Sequence, residues 1–237
     1  TWTGELYFEL HRGTYTTQAK NKWHNRRSEF LLRDAELLAA LQPDGAVAYP
    51  AAELERAWKL VLLNQFHDII PGSSITWVYE DSTRDYAEVR KIGEGIVERS
   101  LAAFASRIDT AQLKRPLLVW NTLSFPRSGL VSLPAADNEP MVALTARGKV
   151  SRTQLTEEDG ARRRLVEVVE IPAMGYALYD LLEGEMPEEV TPEVTDEVSA
   201  EDGVLENSLA RVELNEYGGV VSFFDKQTER ELIPAKA

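Results

Sequence analysis

Cysteine is missing altogether from this 237-residue chain. Disulfides and thiolate metal ligands are therefore excluded, and a reducing, cytoplasmic setting is favoured. Histidine is nearly missing too, at three residues, whereas a zinc site normally takes three or four protein ligands. No apolar run approaches the roughly 18 residues that a membrane helix needs, so a membrane partner is not expected. Positive charge is scarce: 26 Lys and Arg stand against 39 Asp and Glu, a net charge of -13. A phosphate backbone would be repelled, which argues against nucleic acid as a partner. An initiator Met and a signal peptide are absent as well. The chain starts Thr1-Trp2-Thr3-Gly4 and runs straight into the alternating Glu5-Leu6-Tyr7-Phe8-Glu9-Leu10. That opening leads to the expectation of an interior piece of a longer protein. What is present is ordinary for a globular protein: 43% hydrophobic and 27% charged residues, enough chain for one large or two ordinary domains with a sizeable core.

The two halves of the chain have different periodicity. From about Gln18 to Ile108 the pattern is helical. Trp23, Phe30, Leu31, Asp34, Leu37, Leu38 and Leu41 recur at three- and four-residue spacing, and Gln42-Pro43-Asp44-Gly45 stops that helix. A second helix is expected from about Ala51, with Leu54, Trp58, Val61, Leu62 and Gln65 on one face, ending near Ile70-Pro71-Gly72. A third starts near Ile75 and carries Val78, Tyr86, Val89, Ile92, Ile96, Leu101 and Phe104. Three amphipathic helices with short connections predict a three-helix bundle. After Lys114-Arg115-Pro116 the period becomes that of short strands: Leu117–Asn121, Leu130–Leu133, Leu165–Ile171, Tyr176–Tyr179 and Ala210–Leu214, with a hairpin expected over Gly218–Asp225. Frequent turn signals between them predict an antiparallel β-sandwich, so the fold class is multi-domain α+β. From Glu183 to Glu206 there are ten acidic residues and no Lys or Arg. A solvated, mobile connection is the favoured reading over a calcium loop, because the prolines break any regular ligand spacing.

The most informative segment is Asn64-Gln65-Phe66-His67-Asp68-Ile69-Ile70-Pro71-Gly72-Ser73. It places two adjacent polar residues at the expected end of an apolar helix. A histidine there can be a capping cation favoured by the helix dipole; a metal ligand is the other reading, and periodicity alone favours the cap. His24, beside Trp23, reads as structural. Trp2, Trp58, Trp77 and Trp120 have helical or strand spacing, which favours core packing over exposed stacking platforms.

The same segment resembles the Gln-x-His-Asp-x-x-x-Gly motif of glycoside hydrolase family 38, the α-mannosidases. Gly4 through Gln18, including His11-Arg12-Gly13-Thr14-Tyr15, is similar to the family segment that joins the catalytic barrel to the helical bundle. Val119-Trp120-Asn121-Thr122-Leu123-Ser124-Phe125-Pro126-Arg127 looks like the start of the family's β domain. Leu205-Glu206-Asn207 and Gly218 through Ser222 resemble later strands, and the matches fall in family order.

The resemblance implies residues 1–17 as the tail of a catalytic domain, 18–110 as the three-helix middle domain, and 115–237 as an incomplete C-terminal β-sandwich. It implies a zinc-dependent, retaining α-mannosidase that hydrolyses terminal α-mannosyl linkages of oligosaccharides. His67 matches one of four zinc ligands, and Asp68 a residue that binds mannose hydroxyls. The nucleophile and the other three ligands lie in family segments with no counterpart here, so no acidic residue is assigned as catalytic. This chain alone is expected to be inactive and not to retain zinc. Arg12 and Tyr15 are candidate substrate contacts at the border of the sugar cleft, with His11 beside them; the competing reading pairs Arg12 with Glu5 or Glu9 and packs Tyr15 on the bundle. Oligomeric state is left open, a homo-oligomer included. The rival function is a non-catalytic helical-plus-β module that binds carbohydrate or protein within another large enzyme; the His67-Asp68 pair favours the enzyme.

Overall fold

The computed structural model describes residues 3, 13–14, 16–42, 48–135, 141–145, 148–158, 160–184 and 198–233. Among them, three helices precede twelve strands, and every strand pairing is antiparallel. The chain divides into two compact units, Thr1–Glu185 and Met186–Ala237.

The first unit opens with α1 (Ala19–Ala40), α2 (Ala51–Asn64) and α3 (Thr76–Ala105). They close over a core of Leu32, Ala35, Ala39, Leu54, Ala57, Val61, Tyr86, Val89 and Ile96, with Trp58, Leu60, Ile92 and Val97 packed against it. Burial of each large member stabilises by about 1.5–3 kcal/mol, which outweighs the weak helix propensity of the β-branched residues in α3. The expected bundle is thus present, but α1 turns a different face inward. Its buried residues are Asn21, Ser28, Leu32, Ala35, Leu38 and Ala39, whereas Trp23 is 55% and Phe30 57% exposed. Small side chains let α1 approach α3 closely: a Cβ on Gly93 would lie 2.6 Å from Leu31 Cγ. The two large aromatics do not fit such a contact. On α2, Leu62 is likewise exposed.

That helix also ends earlier than expected, at Asn64 rather than near Ile70. The Asn64 side chain is buried and donates from Nδ2 to Leu60 O at 2.9 Å and to Asp85 Oδ2 at 3.0 Å. An amide that takes the carbonyl of the preceding turn competes with continuation of the helix. Gln65 N–H is then shared between Val61 O and Leu62 O, a sharing common at helix ends.

Two sheets complete this unit: β1 (Pro116–Asn121), β7 (Gly175–Glu183), β3 (Met141–Thr145) and β4 (Val150–Ser151) in that order, and β2 (Arg127–Pro134), β6 (Ala161–Ile171) and β5 (Thr153–Glu158). They pack as a sandwich across Ala143, Val166, Val168, Ile171 and Tyr179. Strand β6 shows the cause in its alternation, burying Arg164, Val166 and Val168. A bulge opposite Ser128 then shifts the register, so that Ile171 rather than Glu170 faces inward. Asn121, at the end of β1, donates to the carbonyls of Phe125, Ile171 and Pro172 and ties the strand ends together. Bundle and sheets meet where Phe104 stacks on Trp120 at 4.6 Å and Arg33 donates to Thr122 O at 2.8 Å.

The second unit holds one sheet, in the order β12 (Arg230–Glu231), β11 (Val220–Asp225), β10 (Ala210–Leu214), β9 (Val204–Glu206) and β8 (Ser199–Glu201). The β10–β11 hairpin turns through Asn215–Gly219. Strands β8 and β9 pair within the acidic segment, so that end of it is a hairpin instead of a solvated connection; residues 185–197 lie outside the described residues. Strands β4, β5, β8 and β12 carry too little apolar alternation to have been expected, and β3, the unbroken apolar run Met141-Val142-Ala143-Leu144, was not singled out.

Candidate functional site

His67 and Asp68 lie beyond the end of α2, in the connection to α3. The backbone there is a run of tight turns. Phe66 N–H donates to Leu63 O at 3.1 Å, Ile69 and Ile70 N–H both donate to Phe66 O, and Gly72 N–H donates to Ile69 O at 3.1 Å. Side chains from α1 and α3 hold this backbone. Asn21 Nδ2 on α1 donates to Ile69 O at 3.1 Å. Lys22 Nζ donates to Thr17 O at 2.7 Å and Pro71 O at 3.3 Å, and burial holds its ammonium below its ordinary pKa. On α3 the Tyr79 hydroxyl accepts from Ser74 N–H at 3.1 Å and stands 3.3 and 3.2 Å from the carbonyls of Asp68 and Ile69, to which it can donate. Ser74 Oγ donates to Asp68 O at 2.6 Å. Gln65 Nε2 reaches Asn25 Oδ1 and Glu29 Oε1 at 2.9 and 3.1 Å, fixing the start of the turn to α1. Gly72 has φ +95, and a Cβ there would fall 2.2 Å from Thr17 Cγ2. Only glycine lets the chain pass so close to the start of α1.

The backbone is thus engaged while the two candidate side chains point outward. His67 is 76% and Asp68 61% exposed at the side chain, with His67 Nε2 3.2 Å from Asp68 Oδ2. Ser73 Oγ donates to Asp68 Oδ1 at 3.2 Å. The imidazole lies 4.3 Å from the ring of Phe66, itself exposed. Imidazole nitrogen and carboxylate oxygen are donors that suit zinc. Among the described residues, however, no three His, Cys, Asp or Glu side chains converge on a point. The turn fits one edge of a metal site, not a whole one.

The other sequence candidates separate from this turn. His11, Arg12 and Tyr15 lie outside the described residues, as does Trp2. His24 stacks on Tyr86 at 5.6 Å and meets Trp23 edge-on at 5.0 Å. Burial, then Arg90 and Lys20, lower its pKa below the ordinary 6.5. Trp58 packs on the bundle core and donates to Glu36, and Trp120 is sandwiched between Phe104 and Tyr176. Trp77 does not pack in a core: it is 73% exposed, because position 77 falls on the outer side of the first turn of α3. Asn21, Lys22, Ser74 and Tyr79 were not singled out from the sequence. Asn21 alone carried a signal, as a polar residue on what proves the buried face of α1.

Comparison with known proteins bears on this arrangement. The model of a protein family described as the alpha mannosidase middle domain matches residues 9–104, which takes in α1, α2, the His67-Asp68 turn and nearly all of α3. Human Alpha-mannosidase 2C1 is 34% identical over 242 aligned residues, 98% of this chain. The chain belongs to the α-mannosidases of glycoside hydrolase family 38. Alpha-mannosidase of Saccharomyces cerevisiae is 39% identical over 126 residues, 51% of the chain and 12% of its own length. A crystal structure of a family 38 protein from Enterococcus faecalis has the same fold, with a TM-score of 0.72 and 19% identity over 98% of this chain and 31% of that one. The family 38 chain described here spans 20% of the length of the human relative. No described helix is long and apolar enough to cross a membrane.

Proposed function

We propose that this chain is part of a zinc-dependent, retaining α-mannosidase acting on terminal α-mannosyl linkages of oligosaccharides in the cytoplasm. In this reading His67 is a zinc ligand and Asp68 binds hydroxyls of the mannosyl residue. The observation that carries it is the exposed His67-Asp68 pair on a turn whose backbone is fastened from α1 and α3. A surface histidine that merely caps a helix needs no such framework. The human relative's name, at 34% identity over 98% of the chain, supports the substrate class.

His67 would hold the metal as the neutral imidazole, with its second ring nitrogen hydrogen-bonded to an acceptor. The Asp68 carboxylate beside it would accept hydrogen bonds from sugar hydroxyls and so orient the ring. Zinc, when bound, would supply a template for those hydroxyls rather than a hydroxide nucleophile. Retention needs two further carboxyl groups about 5–5.5 Å apart, one as nucleophile and one as acid/base. The described residues of this chain are given neither role.

The test is His67→Ala in the full-length protein, with zinc content, hydrolysis of an aryl α-mannoside and circular dichroism measured together. Zinc and activity should fall together while the helical signal is kept. Full zinc and full activity in the variant would refute the assignment. The 237-residue chain by itself should neither turn over the substrate nor bind zinc stoichiometrically.

A further inference from the structure

The imidazole of His67 meets only its chain neighbours Phe66 and Asp68 among the described residues, so its position is set by the backbone that carries it. That backbone is tied to the bundle interior through one sealed amide. Asn21 is 5% exposed. Its Nδ2 donates to Ile69 O in the turn at 3.1 Å, and its Oδ1 accepts from Ser82 Oγ on α3 at 2.6 Å. The other ties, from Lys22, Ser74 and Tyr79, lie at partly exposed or exposed positions where water can substitute for them. Asn21 itself is buried and its bond to Ser82 fully so, while its bond to Ile69 O is partly buried. A buried amide satisfied at both ends by different elements fixes the separation of those elements, since movement of either leaves a polar group unpaired away from water.

Building on the reading of His67 as a zinc ligand, we infer that Asn21 is a positioning residue for it, holding the carbonyl of Ile69 against α1 so that the imidazole two residues earlier meets the metal at a fixed place. Metal ligation tolerates displacements of only a few tenths of an ångström. Loss of such a support typically lowers metal affinity by about 10- to 100-fold.

The two ends of Asn21 allow positioning to be separated from general stability. Asn21→Asp keeps the shape and the acceptor for Ser82 but sets a carboxylate oxygen against Ile69 O. Ser82→Ala removes the inner bond and leaves the outer one. In the full-length protein, zinc retention is measured against a competing chelator well below the unfolding temperature, with the unfolding midpoint of each variant recorded. His67→Ala should release zinc. Asn21→Asp should weaken zinc retention by about tenfold. Ser82→Ala should hold zinc within about twofold of the parent even though its unfolding midpoint falls as far. If His67→Ala releases zinc while Asn21→Asp retains it, or if both clamp variants lose zinc in proportion to stability, the positioning role is overturned and the ligand assignment stands. If His67→Ala retains zinc, the ligand assignment fails and this inference with it. Should Asn21→Asp not fold, Asn21→Ala, which leaves room for a bridging water, is judged by the same outcomes.

Discussion

Asp68 divides its labour between backbone and side chain. Its carbonyl receives Ser74 Oγ at 2.6 Å, while its carboxylate meets Ser73 and His67 alone among the described residues. Asp68→Asn keeps the size and one acceptor but removes the charge. A hydrogen bond to a charged group contributes about 1.5–3 kcal/mol, so on the proposed role of Asp68 in binding sugar hydroxyls, kcat/KM of the full-length protein should fall by about 10- to 100-fold with the unfolding midpoint unchanged. A fall in stability without a fall in kcat/KM would make Asp68 a structural residue. Gly72 is the structural counterpart. With φ +95 and Thr17 Cγ2 2.2 Å from any added Cβ, Gly72→Ala should cost about 1–3 kcal/mol in urea unfolding. At this scale the sequence disclosed the two outward residues, because they belong to a contiguous motif. It did not disclose Asn21, Lys22 and Tyr79, whose roles come from tertiary contacts 48, 49 and 10 residues away along the chain.

The helices show why a pattern can give the right element and the wrong face. Periodic spacing identified all three, since any amphipathic stripe repeats at 3.6 residues. On α1 the large aromatics Trp23 and Phe30 marked the outside, and the inside is lined by Asn21, Ser28, Ala35 and Ala39. Hydrophobic weight favoured the aromatics; close helix approach selected the small residues. Two glycines on α3 measure that approach. Gly93 is buried, and a Cβ would press on Leu31 at 2.6 and 2.7 Å, whereas at Gly95 the nearest atom is the flexible Arg99 guanidinium at 3.7 Å. Alanine favours a helix over glycine by about 0.5–1 kcal/mol. Gly95→Ala should therefore stabilise the bundle by about that amount, while Gly93→Ala should lose about 1–3 kcal/mol to overpacking. Equal shifts of the two urea midpoints would mean that α1 and α3 are not in close contact. Among the strands, those with alternating Val, Ile and Leu were legible, as in β6. Strand β5, Thr153-Gln154-Leu155-Thr156-Glu157-Glu158, was not, because only pairing with β6 makes it a strand.

At the level of the whole molecule, acid should act on the two units in different pH ranges. Net charge of -13 gives both a general repulsion that acid relieves toward the isoelectric point near 4.8. Specific groups oppose that trend. In the first unit, burial lowers the His24 pKa below 6.5. The unfolded chain then binds the proton more readily, so the contribution of neutral His24 is complete above pH 6.5 and declines as pH falls toward the lower folded value. His24→Phe keeps a ring against Tyr86 and should remove that decline from the pH dependence of the unfolding midpoint. In the second unit, Glu231 Oε2 accepts from Ser222 Oγ at 2.6 Å, and its Oε1 accepts from the amides of Ile233 and Phe223 at 2.8 and 2.9 Å. The Ser222 hydroxyl, then those amides, hold its pKa below the ordinary 4.5. The folded state therefore binds this proton less readily than the unfolded one. The resulting stabilisation is present above pH 4.5 and is lost as pH falls through the lower folded value. A proton NMR titration reads this directly, since an amide proton bonded to a carboxylate shifts when the carboxylate is neutralised. The Phe223 and Ile233 amides should titrate together with one midpoint below 4.5, and Glu231→Gln should abolish both shifts. Midpoints above 4.5, or shifts that survive the substitution, would show that Glu231 does not clamp the β11–β12 end of the sheet.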